Sequence, residues 1–371
     1  MRQEAPGAAG RTARVGETES RLEQEAPGRR KEEEGMKKIV ALALVLLLLT
    51  GGVAMAQKKD FPRRDITNVV VWGAGGGTDV CNRVISAEMA PILGVNINVI
   101  NKPGGVSGSL GMSYAYSQPH DGYTLAGVSE SCVTAAVQGG WDKRMNVWDF
   151  FIVGGSPDVI SVTPGTPWKD LKELVEAARK SPGTIKACAS GAGSIHHLNL
   201  LALEKGSGAQ MQFIPYKGSA PCQTAAMTGE VNVVVTSVAE QQQLIRAKQL
   251  RPLAMLIPEP FTIEGFGTIP SGFKPYPGLS KHLPIYQAIG FAVAADAPAD
   301  RKAVIEAAFK KAMESEKIKK WAKENYYVLS GKTGKAAKDE FNRLESLFSW
   351  TLWDLKAATV EPAKLGIPKP Q

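Results

Sequence analysis

Ile66-Thr67-Asn68-Val69-Val70-Val71-Trp72, running directly into Gly73-Ala74-Gly75-Gly76-Gly77-Thr78-Asp79, is the stretch whose reading decides the fold. The first seven residues are mostly β-branched and predict a buried strand. After the glycines, Val80, Val84, Ile85 and Met89 recur at helical spacing. Strand, glycine turn and helix together aim free backbone N–H groups and the positive end of a helix dipole at one point. Such a point favours an anion.

The same alternation continues outward. Gly94 stops the helix, 95–100 reads as the next strand, and Asn101-Lys102-Pro103-Gly104-Gly105 is a second glycine turn. A strand over 123–128 follows the turn Pro119-His120-Asp121-Gly122. Thr166-Pro167 is expected to open a helix with Leu171, Leu174, Val175 and Ala178 inward. A strand over 184–189 then meets a third glycine turn, Ser190-Gly191-Ala192-Gly193-Ser194, and a helix carrying Leu198, Leu201 and Leu203. Strands at 211–215 and 231–236 flank a short helix at 223–228, whereas the Pro- and Gly-rich 258–284 reads as loop. A strand over 289–294, a helix from Pro298 and a long helix with Phe341, Leu344, Phe348, Leu352 and Leu355 on one stripe complete the chain. The pattern predicts an α/β fold with mainly parallel sheets in two similar units.

The N-terminal 56 residues stand apart. Residues 1–35 are rich in Arg, Glu, Gly and Ala and are expected to be disordered, preceding a true start at Met36. Residues 36–56 have the three parts of a secretory signal: Met36-Lys37-Lys38, an apolar run over 39–49, and Ala54-Met55-Ala56 before the expected cleavage site. Export places Cys81, Cys132, Cys188 and Cys222 in an oxidising compartment. They read either as buried thiols or as one or two disulfides, in which case Cys81–Cys132 and Cys188–Cys222 are the expected pairs. Their spacing matches no zinc pattern, and no metal or cofactor is expected.

The whole chain carries a net charge of +8. Its basic residues are scattered, which argues against a nucleic-acid partner. The dinucleotide fingerprint fails at Thr78, where a third glycine belongs, and no Walker-type Gly-Lys-Ser/Thr exists. No Gly-x-Ser-x-Gly elbow is present; Ser194 lies in Gly-Ser-Ile, and the adjacent His196 and His197 point in different directions on a helix. An enzyme is therefore not expected, although a secreted hydrolase using Ser194 stands as a third alternative. The main expectation from the residues is a cleft in which two glycine turns and their helices face each other.

Five motifs in order give the chain a family resemblance: Gly75-Gly76-Gly77-Thr78-Asp79, Asn101-Lys102-Pro103-Gly104-Gly105, Pro119-His120-Asp121-Gly122-Tyr123, Ser190-Gly191-Ala192-Gly193-Ser194 and Pro215-Tyr216-Lys217-Gly218-Ser219. Over roughly 62–358 it resembles the periplasmic solute receptors of tripartite tricarboxylate transporters, the Bug family. The resemblance implies a two-lobed type II periplasmic binding protein, with 62–163 plus 286–371 as lobe 1 and 164–285 as lobe 2. It implies a monomer that carries a small carboxylate to a large and a small membrane subunit; a sensory receptor of the same fold is the alternative. Carried over residue by residue, the ligand contacts fall on Gly75, Gly76, Gly77, Thr78 and Asp79, and on Ser190, Gly191, Ala192, Gly193 and Ser194. Asp79 is expected to cap its helix rather than to meet the ligand. Trp72-Gly73-Ala74 departs from the family's usual proline-containing approach to the first turn, while Trp72, Trp141 and Tyr216 are candidates for packing on the ligand.

Overall fold

The computed structural model describes residues 61–281 and 286–370, which lie in one compact unit beginning at Lys59. The expected disordered leader and the signal segment with its cleavage after Ala56 fall outside the described residues.

Strand β1 (Ile66–Val70) pairs in parallel with β2 (Ile97–Asn101) and β3 (Thr124–Val128). The first glycine turn connects β1 to helix α1 (Gly77–Leu93), which buries Cys81, Ile85 and Met89 and ends at Gly94 in the left-handed conformation. Helix α2 (Ser109–Tyr116) leads into β3. Strand β4 (Trp148–Gly155) follows, and after only Ser156-Pro157 the chain enters β5 (Asp158–Val162), which pairs in a different sheet.

The second sheet has the order β7-β6-β8-β5-β9. Its elements are helix α3 (Leu171–Lys180), β6 (Lys186–Cys188), α4 (Ile195–Ser207), β7 (Gln212–Ile214), α5 (Ser219–Met227), β8 (Val233–Ser237), α6 (Val238–Arg246) and β9 (Arg251–Met255). The hairpin β10 (Phe261–Ile263) and β11 (Gly267–Ile269) precedes the return crossing to β12 (Ile289–Ala294). Helices α7 (Ala299–Met313) and α8 (Glu316–Glu324), strand β13 (Val328–Lys332) and helix α9 (Gly334–Asp354) then complete the first lobe, whose sheet order is β13-β4-β12-β3-β1-β2. This is the two-lobed α/β architecture.

Several expectations need correction. The sheets are mixed: parallel pairing is confined to β2-β1-β3 and β7-β6-β8, and the crossing strands add antiparallel pairs. The chain changes sheets at Ser156-Pro157, before the expected boundary at 163, because β5 hydrogen-bonds to β8 and β9. Helix α3 starts at Leu171 rather than at Thr166-Pro167. Asp170 accepts from the Glu173 amide there, and Glu173 reaches back to the Lys169 amide. The stretch 258–284, expected to be loop, contains the β10–β11 hairpin.

Of the two expected disulfides, Cys188–Cys222 is formed and Cys81–Cys132 is not. Alternation along β4 explains the unpaired thiols. Phe151 and Val153 pack with Cys81 on one face of the first sheet, while Phe150 and Ile152 pack with Cys132 on the other. The long stripe behaves as core: Phe341 of α9 stacks on Phe150 with ring centroids 3.8 Å apart. One apolar cluster contains side chains from both lobes, including Val71 and Val128 of the first and Leu198 and Val235 of the second.

Candidate functional site

The first and third glycine turns lie on opposite sides of one crevice. Gly73 N–H donates to the Lys217 carbonyl at 3.0 Å, and Trp72 lies so close to Gly191 that a Cβ there would sit 3.2 Å from its ring. Gly193 faces the first lobe at φ +74°, and a Cβ would come within 2.7 Å of Ser107 Oγ and 2.9 Å of Thr134 Oγ1. Only glycine meets both demands, the left-handed backbone and the close approach. The Thr134 hydroxyl donates to the Gly193 carbonyl at 2.7 Å, and Ile195 N–H, the first amide of α4, donates to Ser131 Oγ at 2.9 Å.

Between these turns lies a cavity of about 20 Å3, room for roughly one water. Its walls include Trp72, Gly76, Gly77, Thr78 and Ser129 to Ser131 from the first lobe. Ser190, His196, Gly218, Ser219 and Glu240 come from the second, and Gln287 from the return crossing. Helix N-termini converge here: Gly77 of α1, Ser219 of α5, and Ile195 of α4 beside Ser190 and His196. Their partial positive charges call for negative partners, and the chain supplies carboxylates.

Gly77 N–H donates to Glu240 Oε1 at 2.7 Å. The other oxygen of Glu240 accepts from Ser237 N–H at 3.0 Å and from Ser237 Oγ at 2.9 Å, the capping box of α6. Glu130 Oε1 accepts from the amide and hydroxyl of Ser131, and its Oε2 from Ala288 N–H at 2.6 Å. Burial pushes the Glu130 carboxyl upward, while those hydrogen bonds pull it down.

His196 is buried, with Nδ1 2.8 Å from Asp158 Oδ2 and Nε2 3.5 Å from Glu240 Oε2. Burial works to lower its pKa, but the carboxylates of Asp158 and Glu240 outweigh it and raise it to about 9. His196 is therefore an imidazolium at neutral pH. His197 points the other way: it stacks on Phe213 with centroids 3.9 Å apart, and its Nδ1 accepts the Gly193 N–H at 3.0 Å. Burial lowers its pKa to about 4. One histidine orders the charges of the crevice and the other props the turn.

Of the ten residues expected to contact ligand, Gly76, Gly77, Thr78 and Ser190 line the cavity. Gly75 donates its N–H to Asp79 Oδ2 at 2.9 Å, and Asp79 is further held by Arg83 and by Asn101 Nδ2 at 2.8 Å, within the first lobe. Gly191, Ala192 and Gly193 sit where the lobes touch, Ala192 through its carbonyl to Ser107 Oγ. Ser194 is fully buried, its Oγ accepting the His197 N–H at 3.2 Å as the cap of α4. His196 is engaged with Asp158, so the serine–histidine pairing a hydrolase needs is not formed.

Trp72 reaches the cavity and donates from Nε1 to Ser129 Oγ at 3.2 Å. Trp141 packs against Tyr116 and Trp148 in the core, and the Tyr216 hydroxyl donates to Glu230. Sequence reasoning missed Glu130, Glu240 and Gln287. Ser237-x-x-Glu240 was legible as a capping box, but nothing local said that the same carboxylate would cross the crevice.

Among the described residues, no group of His, Cys, Asp and Glu is arranged to hold a metal, and no helix is long and apolar enough to cross a membrane. The family model described as "Tripartite tricarboxylate transporter family receptor" matches residues 81–349. A protein encoded in the tcbD-tcbE intergenic region of Pseudomonas sp. strain P51 is 30% identical over 218 residues, 58% of this chain and 65% of that protein, just under two thirds of the relative's own length. Among solved structures, Rpa4515 of R. palustris with adipate superposes with TM-score 0.73 at 21% identity, covering 81% of this chain and 99% of that one. MatC of Rhodopseudomonas palustris with bound malate gives TM-score 0.69 at 21% identity, covering 78% of this chain and all (100%) of that one.

Proposed function

The chain belongs to the family of tripartite tricarboxylate transporter receptors, and on that premise we propose that it is an exported periplasmic receptor that closes its two lobes around a small carboxylate. The loaded receptor then delivers its cargo to the large and small membrane subunits of a tripartite permease. Adipate and malate, bound by two proteins of the same fold, are the chemical class in view.

The observation that carries this reading is the contact between Gly77 N–H and a carboxylate at 2.7 Å. That the carboxylate belongs to Glu240 does not change what the amide is suited to hold. None of the cavity's lining residues is Lys or Arg, so backbone and hydroxyl donors at the helix N-termini provide the attraction.

Three such hydrogen bonds, each roughly 1.5–3 kcal/mol when one partner is charged, are partly offset by the costs of association and closure. A Kd near micromolar, about −8 kcal/mol, is consistent with that balance. A cavity sized for one water means the lobes part before a dicarboxylate enters. Ser156-Pro157 and the return crossing at Gln287 lie side by side as the hinge, with Ser156 N–H donating to Gln287 Oε1 at 3.1 Å. A thermal-shift screen of the purified protein against mono-, di- and tricarboxylates and their neutral amides tests the reading. Stabilisation by carboxylates supports it, and stabilisation by the amides alone refutes it.

A further inference from the structure

The amide best placed for a ligand carboxylate is already occupied by a carboxylate of the chain. Glu240 sits on α6 of the second lobe and Gly77 on α1 of the first, so their 2.7 Å hydrogen bond spans the crevice. We propose that Glu240 is a displaceable latch: it closes the lobes by occupying the Gly77 amide, and a carboxylate ligand binds by taking that place. The proposal rests on the carboxylate reading given above, and it makes Glu240 the residue that sets how tightly a ligand must bind to be retained.

Two features of the site support displacement over a fixed structural role. The Glu240 carboxylate has two separable engagements, one oxygen on Gly77 and the other on the Ser237 amide and hydroxyl. Losing Gly77 leaves the second intact, and His196 Nε2, 3.5 Å from that second oxygen, continues to balance the charge. The released side chain is therefore not stranded as an unpaired buried charge, the outcome that would make displacement prohibitive.

The steric fit is equally specific. A Cβ at position 77 would lie 2.9 Å from Glu240 Oε1, so a side chain there would push the carboxylate off the amide. With Glu240 in place the cavity of about 20 Å3 has no room for a second carboxylate at the α1 N-terminus. Glu130, the other acid of the cavity wall, is not a competitor for that amide. Both its oxygens are committed, to Ser131 and to Ala288 N–H.

The test compares the protein with Glu240→Gln and Glu240→Ala. The Gln variant keeps the shape, but its single acceptor serves either Gly77 or Ser237 and not both. Isothermal titration with malate, adipate and a tricarboxylate is paired with small-angle scattering in the absence of ligand. The latch predicts that both variants bind the preferred carboxylate at least about tenfold more tightly, a change of roughly 1.4 kcal/mol. It also predicts that both scatter as more open particles before ligand is added. Equal or weaker affinity together with unchanged scattering overturns it. Should no carboxylate bind any of the three proteins, the carboxylate reading fails, and the latch is then judged by scattering alone: expansion of Glu240→Gln sustains it, and an unchanged profile overturns it. If Glu240→Ala does not fold, the Gln variant decides.

Discussion

The Thr134 hydroxyl donates to the Gly193 carbonyl at 2.7 Å, joining the 3-10 turn after β3 in the first lobe to the glycine turn before α4 in the second. Ser107 Oγ lies within hydrogen-bond distance of the same Thr134 hydroxyl, so a short chain of hydroxyls ends on the second lobe. Replacing Thr134 by the near-isosteric Val removes the donor and keeps the packing. Closure is expected to weaken by the net worth of one buried hydrogen bond, about 0.5–1.5 kcal/mol, which is a two- to tenfold loss of carboxylate affinity. Titration calorimetry on Thr134→Val checks this, with circular dichroism to establish that the fold is kept.

Trp72 forms one wall of the cavity and touches Gly191 across the crevice. Opening and closing the lobes therefore changes the surroundings of one indole among several that lie in the core. Carboxylate binding is expected to alter intrinsic tryptophan fluorescence in the natural protein and to leave it nearly unchanged in Trp72→Phe. An equal signal in the variant would place the responding tryptophan elsewhere.

The disulfide between Cys188 and Cys222 ties the end of β6, two residues before the third glycine turn, to α5. Its sequence separation of 34 corresponds to roughly 3–4 kcal/mol of stabilisation in the chain-entropy account. Reduction, or the Cys188→Ala/Cys222→Ala double variant, is expected to lower the unfolding midpoint by several degrees. Burial raises the thiols of Cys81 and Cys132, the latter to about 12, so neither is expected to react with a thiol reagent in the native protein. Two equivalents of label taken up without denaturant would contradict the assignment.

His196 and His197 give stability opposite pH dependences. The His196 pKa, raised from 6.5 to about 9, contributes stability that is fully present below about 6.5 and is lost as pH rises through 9. The His197 pKa, lowered from 6.5 to about 4, contributes stability that is present above about 6.5 and is lost as pH falls through 4. Thermal midpoints measured from pH 4 to pH 10 should fall on both sides of neutrality. His196→Gln should flatten the alkaline arm and His197→Gln the acid arm. If each variant changed the opposite arm, the two environments would have been exchanged.

The two glycine turns were legible because strand, turn and helix each leave a local mark: β-branched residues, consecutive glycines, then apolar residues at helical spacing. The start of α3 was misread because Thr166-Pro167 and Asp170-x-x-Glu173 are both valid opening signals, and only the second has its hydrogen bonds made. Gly154-Gly155-Ser156-Pro157 marks a turn in any local reading, yet that β4 and β5 join different sheets is decided by strands far away in sequence. The acids of the crevice were missed for the same reason. Glu240 lies 163 residues from Gly77, and Glu130 lies 158 residues from Ala288. Carboxylates drawn to converging helix N-termini are a property of the assembled lobes and leave no motif behind.

On the proposed reading a carboxylate is held where the two glycine turns face each other, an arrangement that a side chain at Gly193 would block. Its φ of +74° and its approach to Ser107 and Thr134 exclude a side chain when the lobes are shut. Isothermal titration of the natural protein and of Gly193→Val with malate, adipate and a tricarboxylate should give one site per chain near micromolar for the former and no measurable heat for the folded variant. Undiminished carboxylate binding by Gly193→Val would contradict the account.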